Sequence, residues 1–247
     1  TLPESLYKEV RTFFVADASG KVYKGDISNK DKSSWRMDEV LKFPSGTSGI
    51  SSSLNALRVK QQVWVFAGTG DVTGHLLTKT TDANYFAAAN VTGVQPNSPL
   101  EVKNEVNHLF PLSPEVGSEK LETDFYPDRK GWFIKLAEKE RMSTPPKLLS
   151  GHVFFFTFIP DDDICSDNGK TRFYILNEKN GKSAWDPIEE TTKKYKEYPG
   201  KKVTGFDLRS NPGGGVSAIL ADGSVLPLIL NLETPSIVGE PLYWKSR

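Results

Sequence analysis

GHVFFFTFIP, residues 151–160, is the stretch on which the fold turns. From Val153 to Phe158 five of six side chains are apolar and four of those are aromatic, with Gly151 and Pro160 as boundaries. So short an apolar run, rich in aromatics and closed by breakers, reads as a strand. It does not alternate apolar with polar, so both of its faces are expected to be covered. Upstream lie GWFIKL (131–136) and the turn-bearing AEKERMSTPPKLLS (137–150). Downstream, DDDICSDNGKT (161–171) leads to RFYILNEKNGKSAW (172–185). There Asn180-Gly181 offers the positive φ of a two-residue hairpin turn, which predicts a strand on either side of that dipeptide.

Working outward, the same design recurs. Thr12–Val15 and Lys21–Lys24 flank the turn cluster Asp17–Gly20, and Val216–Leu220 and Val225–Leu230 flank Ala221–Ser224. Repeated hairpins point to an all-β fold, a β-propeller or part of one, built of four-stranded antiparallel blades with long polar loops; the period of such blades is roughly 40–50 residues. Val238–Lys245 is expected to pair with an early strand and close the ring, since closure leaves no free sheet edge. Trp35, Met37, Val40 and Leu41 fit either a strand or a short helical turn. Tyr85–Ala89 is expected to be a strand, although its alanines also suit a helix. Gln95–Lys130 holds five prolines and many charges. It reads as a long connection with one or two helical turns and as the preferred partner-facing element. The mixed-sign segment Asp186–Lys202 reads as a solvated excursion.

The bulk numbers narrow the function classes. A chain of 247 residues accommodates a single propeller-like domain over residues 1–247. With 31 basic and 31 acidic residues the formal charge is zero, which gives no field to attract nucleic acid or a membrane surface. No run of about 18 apolar residues offers a membrane span. The sequence opens on Thr1 with no charged region and apolar core behind it, and is read as a mature or trimmed piece, the C-terminal part of a longer protein. Cys165 is the sole cysteine, which excludes an intrachain disulfide and any multi-cysteine metal site.

Catalytic and ligand-binding patterns are sparse. His75, His108 and His152 stand apart in sequence, with no HExxH pair. No GxSxG elbow presents a serine nucleophile. Cys165 sits in an acidic loop that disfavours its thiolate. Asp161, Asp162, Asp163 and Asp167 form a carboxylate cluster of the kind that attracts a hard cation, but lack the alternating ligands, central glycine and terminal glutamate of a calcium loop. Gly68-Thr69-Gly70 lacks the GxGxxG pattern and the lysine of a phosphate loop, and reads as a tight turn. Lys24-Gly25-Asp26 spells a tripeptide that some integrins accept, yet its placement commits the side chains to a sheet. The expectation is therefore a non-enzymatic protein with no catalytic, cofactor or metal residues.

The order GWFIKL, Glu140-Arg141, proline, GHVFFFTFIP, Asp163-Ile164-Cys165, Asn168-Gly169 and then a strand ending in NEKNGK (177–182) resembles the C-terminal propeller domain of the PilY family of type IV pilus tip and biogenesis proteins. FVADASGKVYKGDI (14–27), VWVFAGTGD (63–71) and the final Trp244-Lys245 resemble further segments of that domain. The resemblance implies an adhesin or assembly factor at the pilus tip or outer surface of a bacterium, extracellular or periplasmic. Its implied work is contact with minor pilins or a host surface receptor, with neither nucleic acid nor membrane insertion. It also implies a calcium loop just before Thr12–Asp17, but the matching positions near Pro3, Ser5, Tyr7 and Arg11 carry no acid, so no cofactor is expected. LNEKNGKSAW (176–185) resembles the docking motif of quinoprotein propellers, whose tryptophan packs between blades. That keeps a quinone-dependent dehydrogenase fragment as an alternative, beside a scaffold propeller of an envelope assembly complex.

Overall fold

The computed structural model describes residues 11–50, 54–70, 83–105, 107–112, 114, 129–161, 169–185, 193–200, 202–210, 216–220, 222–228 and 240–242. Among these there is no α-helix, and the strands fall into four sheets in chain order. The first holds β1 (Thr12–Ala16), β2 (Lys21–Asp26), β3 (Arg36–Lys42) and, parallel to β3, the short β7 (Leu100–Glu101). The second runs β4 (Asn55–Val59), β5 (Gln62–Gly68), β6 (Tyr85–Asn90) and β9 (Gly131–Lys135) as an antiparallel meander. It is extended by β8 (Phe110–Leu112) at one edge and β18 (Glu240–Leu242) at the other. The third has β10 (Arg141–Met142) and β11 (Lys147–Leu149) side by side against β12 (His152–Pro160), then β13 (Gly169–Asn177) and β14 (Tyr195–Pro199). The fourth is β15 (Phe206–Ser210), β16 (Val216–Leu220) and β17 (Val225–Leu228).

Three apolar cores lie between successive sheets, and β12 shows why. Its residues Val153 and Phe155 face the second sheet, in one core with Phe66, Phe86 and Trp132. Phe154 and Phe156 face the fourth, in another with Phe206, Ala218 and Leu220. Both faces are covered, as the absent alternation predicts. A third core joins Val22, Val40 and Leu41 of the first sheet to Val65, Ala67, Ala87 and Ala89 of the second. The alanines of β6 thus occupy a strand, where small side chains let neighbouring sheets approach. Trp35 follows a short 3-10 turn (Lys32–Ser34) and leads into strand β3, which settles that ambiguity.

The first strands of successive sheets lie side by side: β11 packs between β4 and β15. Asn55 Nδ2 donates to the Pro146 carbonyl at 3.1 Å, and Lys147 Nζ meets Asp207 Oδ1 at 2.9 Å. Sheets stacked face to face with their first strands gathered on one side are blades of a propeller. β18 pairs antiparallel with β4 through Ala56–Arg58, so the late segment does join an early strand. The exposed apolar side chains Val15 and Met37, and Val225, lie on the outward faces of the first and fourth sheets, the two ends of the series.

Three expectations change. Strand β13 pairs with β12 and β14, not with a strand beyond Asn180-Gly181; only Gly181 takes positive φ (+67°), and the returning chain makes a single bridge at Ser183. The dipeptide does reverse the chain onto the edge of β13 opposite β12, with Asn177 N donating to Lys182 O and Ala184 N to Ile175 O, but β14 takes that edge from Tyr174 onward, so no second strand forms there. GWFIKL belongs to the second blade, not to the unit of β12. The described part of Gln95–Lys130 carries no helical turn: it supplies β7 and β8 and buries Leu100, Val102 and Leu109 in the core between the first two blades. Those apolar side chains fasten two blades together rather than presenting a free loop.

The hairpin turns are held by aspartates. Asp17 Oδ1 accepts from Ser19 N at 2.8 Å and Lys21 N at 3.0 Å, Asp26 from Ser28 N at 3.0 Å, and Asp31 from Ser33 N at 2.9 Å. Slight burial would raise the Asp17 carboxyl, but the Lys21 and Ser19 hydrogen bonds hold it below the ordinary range; Ser28 and Ser33 lower Asp26 and Asp31 likewise. A depressed folded-state pKa contributes stability that is complete above the unfolded value, about 4, and lost as pH falls through the folded value. Melting temperature followed by circular dichroism is therefore expected to hold from pH 7 to 5 and drop by pH 3. A midpoint unchanged at pH 3 contradicts this role.

Candidate binding site

The link from the second to the third blade is locked by one carboxylate. Glu140 is fully buried between β9 and β10 and accepts four hydrogen bonds: from Thr157 Oγ1 at 2.6 Å, Tyr174 Oη at 2.9 Å, Arg172 Nη1 at 2.7 Å and Ala137 N at 2.9 Å. Thr157 and Arg172 are cross-strand partners on β12 and β13, which sets the spacing of the donors. Arg172 also donates from Nε to Glu197 at 3.2 Å and lies 4.1 Å from the Tyr195 ring centroid. Burial opposes the Arg172 cation, but the Glu140 charge together with Tyr174, Tyr195 and the hydrogen bond to Glu197 outweighs it and holds the guanidinium more firmly protonated than usual. Burial, then the same carboxylate, pushes the Tyr174 phenol well above its ordinary value. The Glu140 carbonyl accepts from Asn84 Nδ2, and Asn84 accepts from Thr69, so the lock reaches the end of β5. With its acceptor capacity filled and no exposure, this carboxylate positions blades and has no free oxygen for an external ligand.

An open site lies between the first and second blades. Lys24, Arg36 and Asp38 share a face with Val22 and Val40, because Lys24 pairs with Asp38 and Asp26 with Arg36 across β2 and β3. Near Val22 that face is buried against the second blade; further along it turns polar and diverges. The result is a cleft of about 340 Å³, with buried Val40 and Val91 beneath, Lys24, Arg36 and Asp38 on one side and Gly93, Val94, Gln95 and Pro96 on the other. The far wall is anchored to β5 by Val91 N donating to Val63 O at 2.8 Å and Val63 N donating to Thr92 Oγ1 at 2.8 Å. Arg36 is braced by Asp38 (Nε to Oδ2, 3.4 Å) and Asp26 (Nη2 to Oδ2, 3.7 Å). Lys24 makes no hydrogen bond or ion pair among the described residues and reaches Asp26 only through space.

The groups singled out in the sequence do not assemble. His108 Nδ1 accepts from Glu101 N at 2.9 Å, whereas buried His152 directs Nδ1 at the Ser150 carbonyl, 2.8 Å away. His75, Cys165, Asp162, Asp163 and Asp167, the positions Pro3, Ser5 and Tyr7, and Trp244-Lys245 lie outside the described residues. Among the described residues no three His, Cys, Asp or Glu side chains gather as a ligand set. Gly68 and Gly70 allow close approach of the β5 end to Met142 and Arg141, while Thr69 is buried; this is a packed crossing. Of Lys24-Gly25-Asp26, Gly25 lies under the Phe13 ring and Asp26 accepts from Ser28, so these two are committed to the sheet as expected, whereas the Lys24 side chain lines the cleft. Trp185 packs edge-on to Phe173 (5.7 Å) in the core between the third and fourth blades, with Lys196 4.6 Å from its ring. The docking motif therefore describes architecture.

No protein-family model matches the chain, and neither does any curated protein. Among solved structures it is similar to the crystal structure of the C-terminal domain of PilY1 from Pseudomonas aeruginosa. The TM-score is 0.61 at 12% sequence identity, covering 89% of this chain and 57% of that one. That likeness establishes the β-propeller fold, and this chain spans little more than half the length of its structural neighbour.

Proposed function

We propose that the chain is a non-enzymatic propeller module of a type IV pilus-associated protein, exposed outside the cytoplasm, that works by contact with minor pilins or a host surface. The observation that carries the reading is the extent of the likeness: nine-tenths of the chain follows a pilus protein's propeller although only about one residue in eight is shared. Backbone likeness of that extent at so little identity supports a common architecture, and the related use is our inference, because one fold hosts many functions. Asymmetric blades fastened by β7, β8 and β18 also offer a rigid platform on which loops and clefts engage partners.

The test is a titration of purified minor pilins over the immobilised protein by biolayer interferometry. Saturable binding is the expected result; no binding by any minor pilin of the same bacterium overturns the pilin reading, and no binding to host cells in the same assay overturns the other. The quinoprotein alternative is checked in the same preparation by adding pyrroloquinoline quinone and an alcohol. Turnover there moves the protein to the enzymes.

A further inference from the structure

We infer that the cleft between the first two blades is a binding site for a carboxylate attached to an aliphatic group, as a protein partner presents at a leucine-like C terminus or at an acidic side chain beside an apolar one. The lining supplies both halves of that ligand. Val40, Val91 and Val94 form an apolar bed, and a volume of about 340 Å³ falls at the lower end of small-ligand sites, roughly 300–1,000 Å³. Two cations, Lys24 and Arg36, line it with one anion, Asp38; Asp26, 3.7 Å from Arg36, balances the second charge, so what an incoming carboxylate meets is the local charge of Lys24 rather than a net positive field.

The two cations have different duties. Arg36 is already braced by Asp26 and Asp38, which fixes its position and absorbs much of its charge. Lys24 has no such partner among the described residues, and its ammonium is a compact charge on a flexible stem. It is the group that meets the incoming carboxylate, while Gln95, whose Nε2 donates to Gly93 O at 3.2 Å, keeps its amide oxygen for a donor on the ligand. A cationic group placed beside Lys24 would be repelled by it, and a wholly apolar ligand covering Lys24 would take water from its ammonium without giving it an ion partner, so the cleft favours an anion with an apolar body. This choice refines the binding reading by chemistry and stands or falls separately from minor pilins, which could engage another face.

The test uses the whole chain and two small probes, N-acetyl-leucine and its neutral counterpart N-acetyl-leucinamide, followed through the backbone amide resonances of Val91, Gly93, Val94 and Gln95. Saturable shifts are expected with the acid, with affinity about fivefold or more above the amide, which corresponds to one ion contact of about 1 kcal/mol. Lys24→Met is expected to abolish that preference, Lys24→Arg to keep it, and Asp38→Asn to tighten the acid about twofold by removing the opposing charge. Two peptides then separate the sources: one with a free leucine terminus, one amidated with an internal Glu-Leu. Equal binding of acid and amide, a preference that survives Lys24→Met, or no saturable shift at these four amides overturns the assignment.

Discussion

Replacing Glu140 with Gln is expected to cost roughly 3–5 kcal/mol of folding stability, the scale for removing one partner of a buried charge pair. The carboxylate receives four donors and offers no proton of its own. A glutamine side chain keeps one acceptor oxygen and turns an NH2 group toward donors, leaving Arg172 with Glu197 as its remaining counter-ion and Thr157 or Tyr174 without an acceptor. Against a total stability of about 5–15 kcal/mol such a loss consumes about a fifth or more of the margin. Urea denaturation reads it as a lower midpoint at unchanged slope. The double change Glu140→Gln with Arg172→Met is expected to cost less than the two separately, since the cation that lost its buried partner is gone. A single-variant loss below about 1 kcal/mol contradicts the role assigned to this carboxylate.

Phe155→Ala is the second large effect, expected at about 3–5 kcal/mol. Its ring lies between Phe86 of the second blade (centroids 3.9 Å apart, 15° between planes) and Tyr174 of its own (4.8 Å, 5°), and no part of it is exposed. Truncation opens a cavity in the face-to-face contact of two blades and also removes the stacking term, about 0.5–1.5 kcal/mol. Phe155→Leu, which keeps most of the volume, should recover most of the loss, costing under about 1.5 kcal/mol. Since Phe155 faces only the second blade and Phe156 only the fourth, amide exchange in Phe155→Ala should accelerate in β5 and β6 more than in β16.

These two residues mark the division between what the sequence discloses and what it conceals. The burial of GHVFFFTFIP was readable because its composition, its breakers and its lack of alternation all bear on one local question, whether a strand has a wet face. The hairpins at Asp17–Gly20 and Ala221–Ser224 were readable for a similar reason, since the turn residues carry their own hydrogen bonds. Asn180-Gly181 misled because a turn dipeptide specifies that the chain reverses and not how far the returning segment stays paired before another strand takes the edge. The two- and three-residue strands β7 and β8 fall below any periodic signal, and prolines around them favour a loop reading.

Glu140 stood in plain view as half of the Glu140-Arg141 pair, but its partners are 17 to 34 positions downstream. They converge only once β12 and β13 take their register, which opposes Thr157 to Arg172. The cleft is likewise a product of register: Lys24 and Asp38 become neighbours through the pairing of β2 with β3, and the opposite wall comes from a turn beyond β6. Charge patterning along either segment shows alternating signs and no hint of a shared face. Of the segments read as PilY-like, FVADASGKVYKGDI, VWVFAGTG and GHVFFFTFIP fall among the described residues as strands and turns of blades, in keeping with the propeller fold.

The stacking of blades in chain order is tested most directly by nuclear Overhauser contacts between aromatic rings in the selectively labelled protein. Contacts are predicted between Phe86 and Phe155, joining the second and third blades, and between Phe156 and Phe206, joining the third and fourth (ring centroids 3.9 and 5.0 Å apart). Contacts from Phe86 to Phe206, which would put the second sheet directly against the fourth, or the absence of both predicted pairs, would contradict the propeller arrangement.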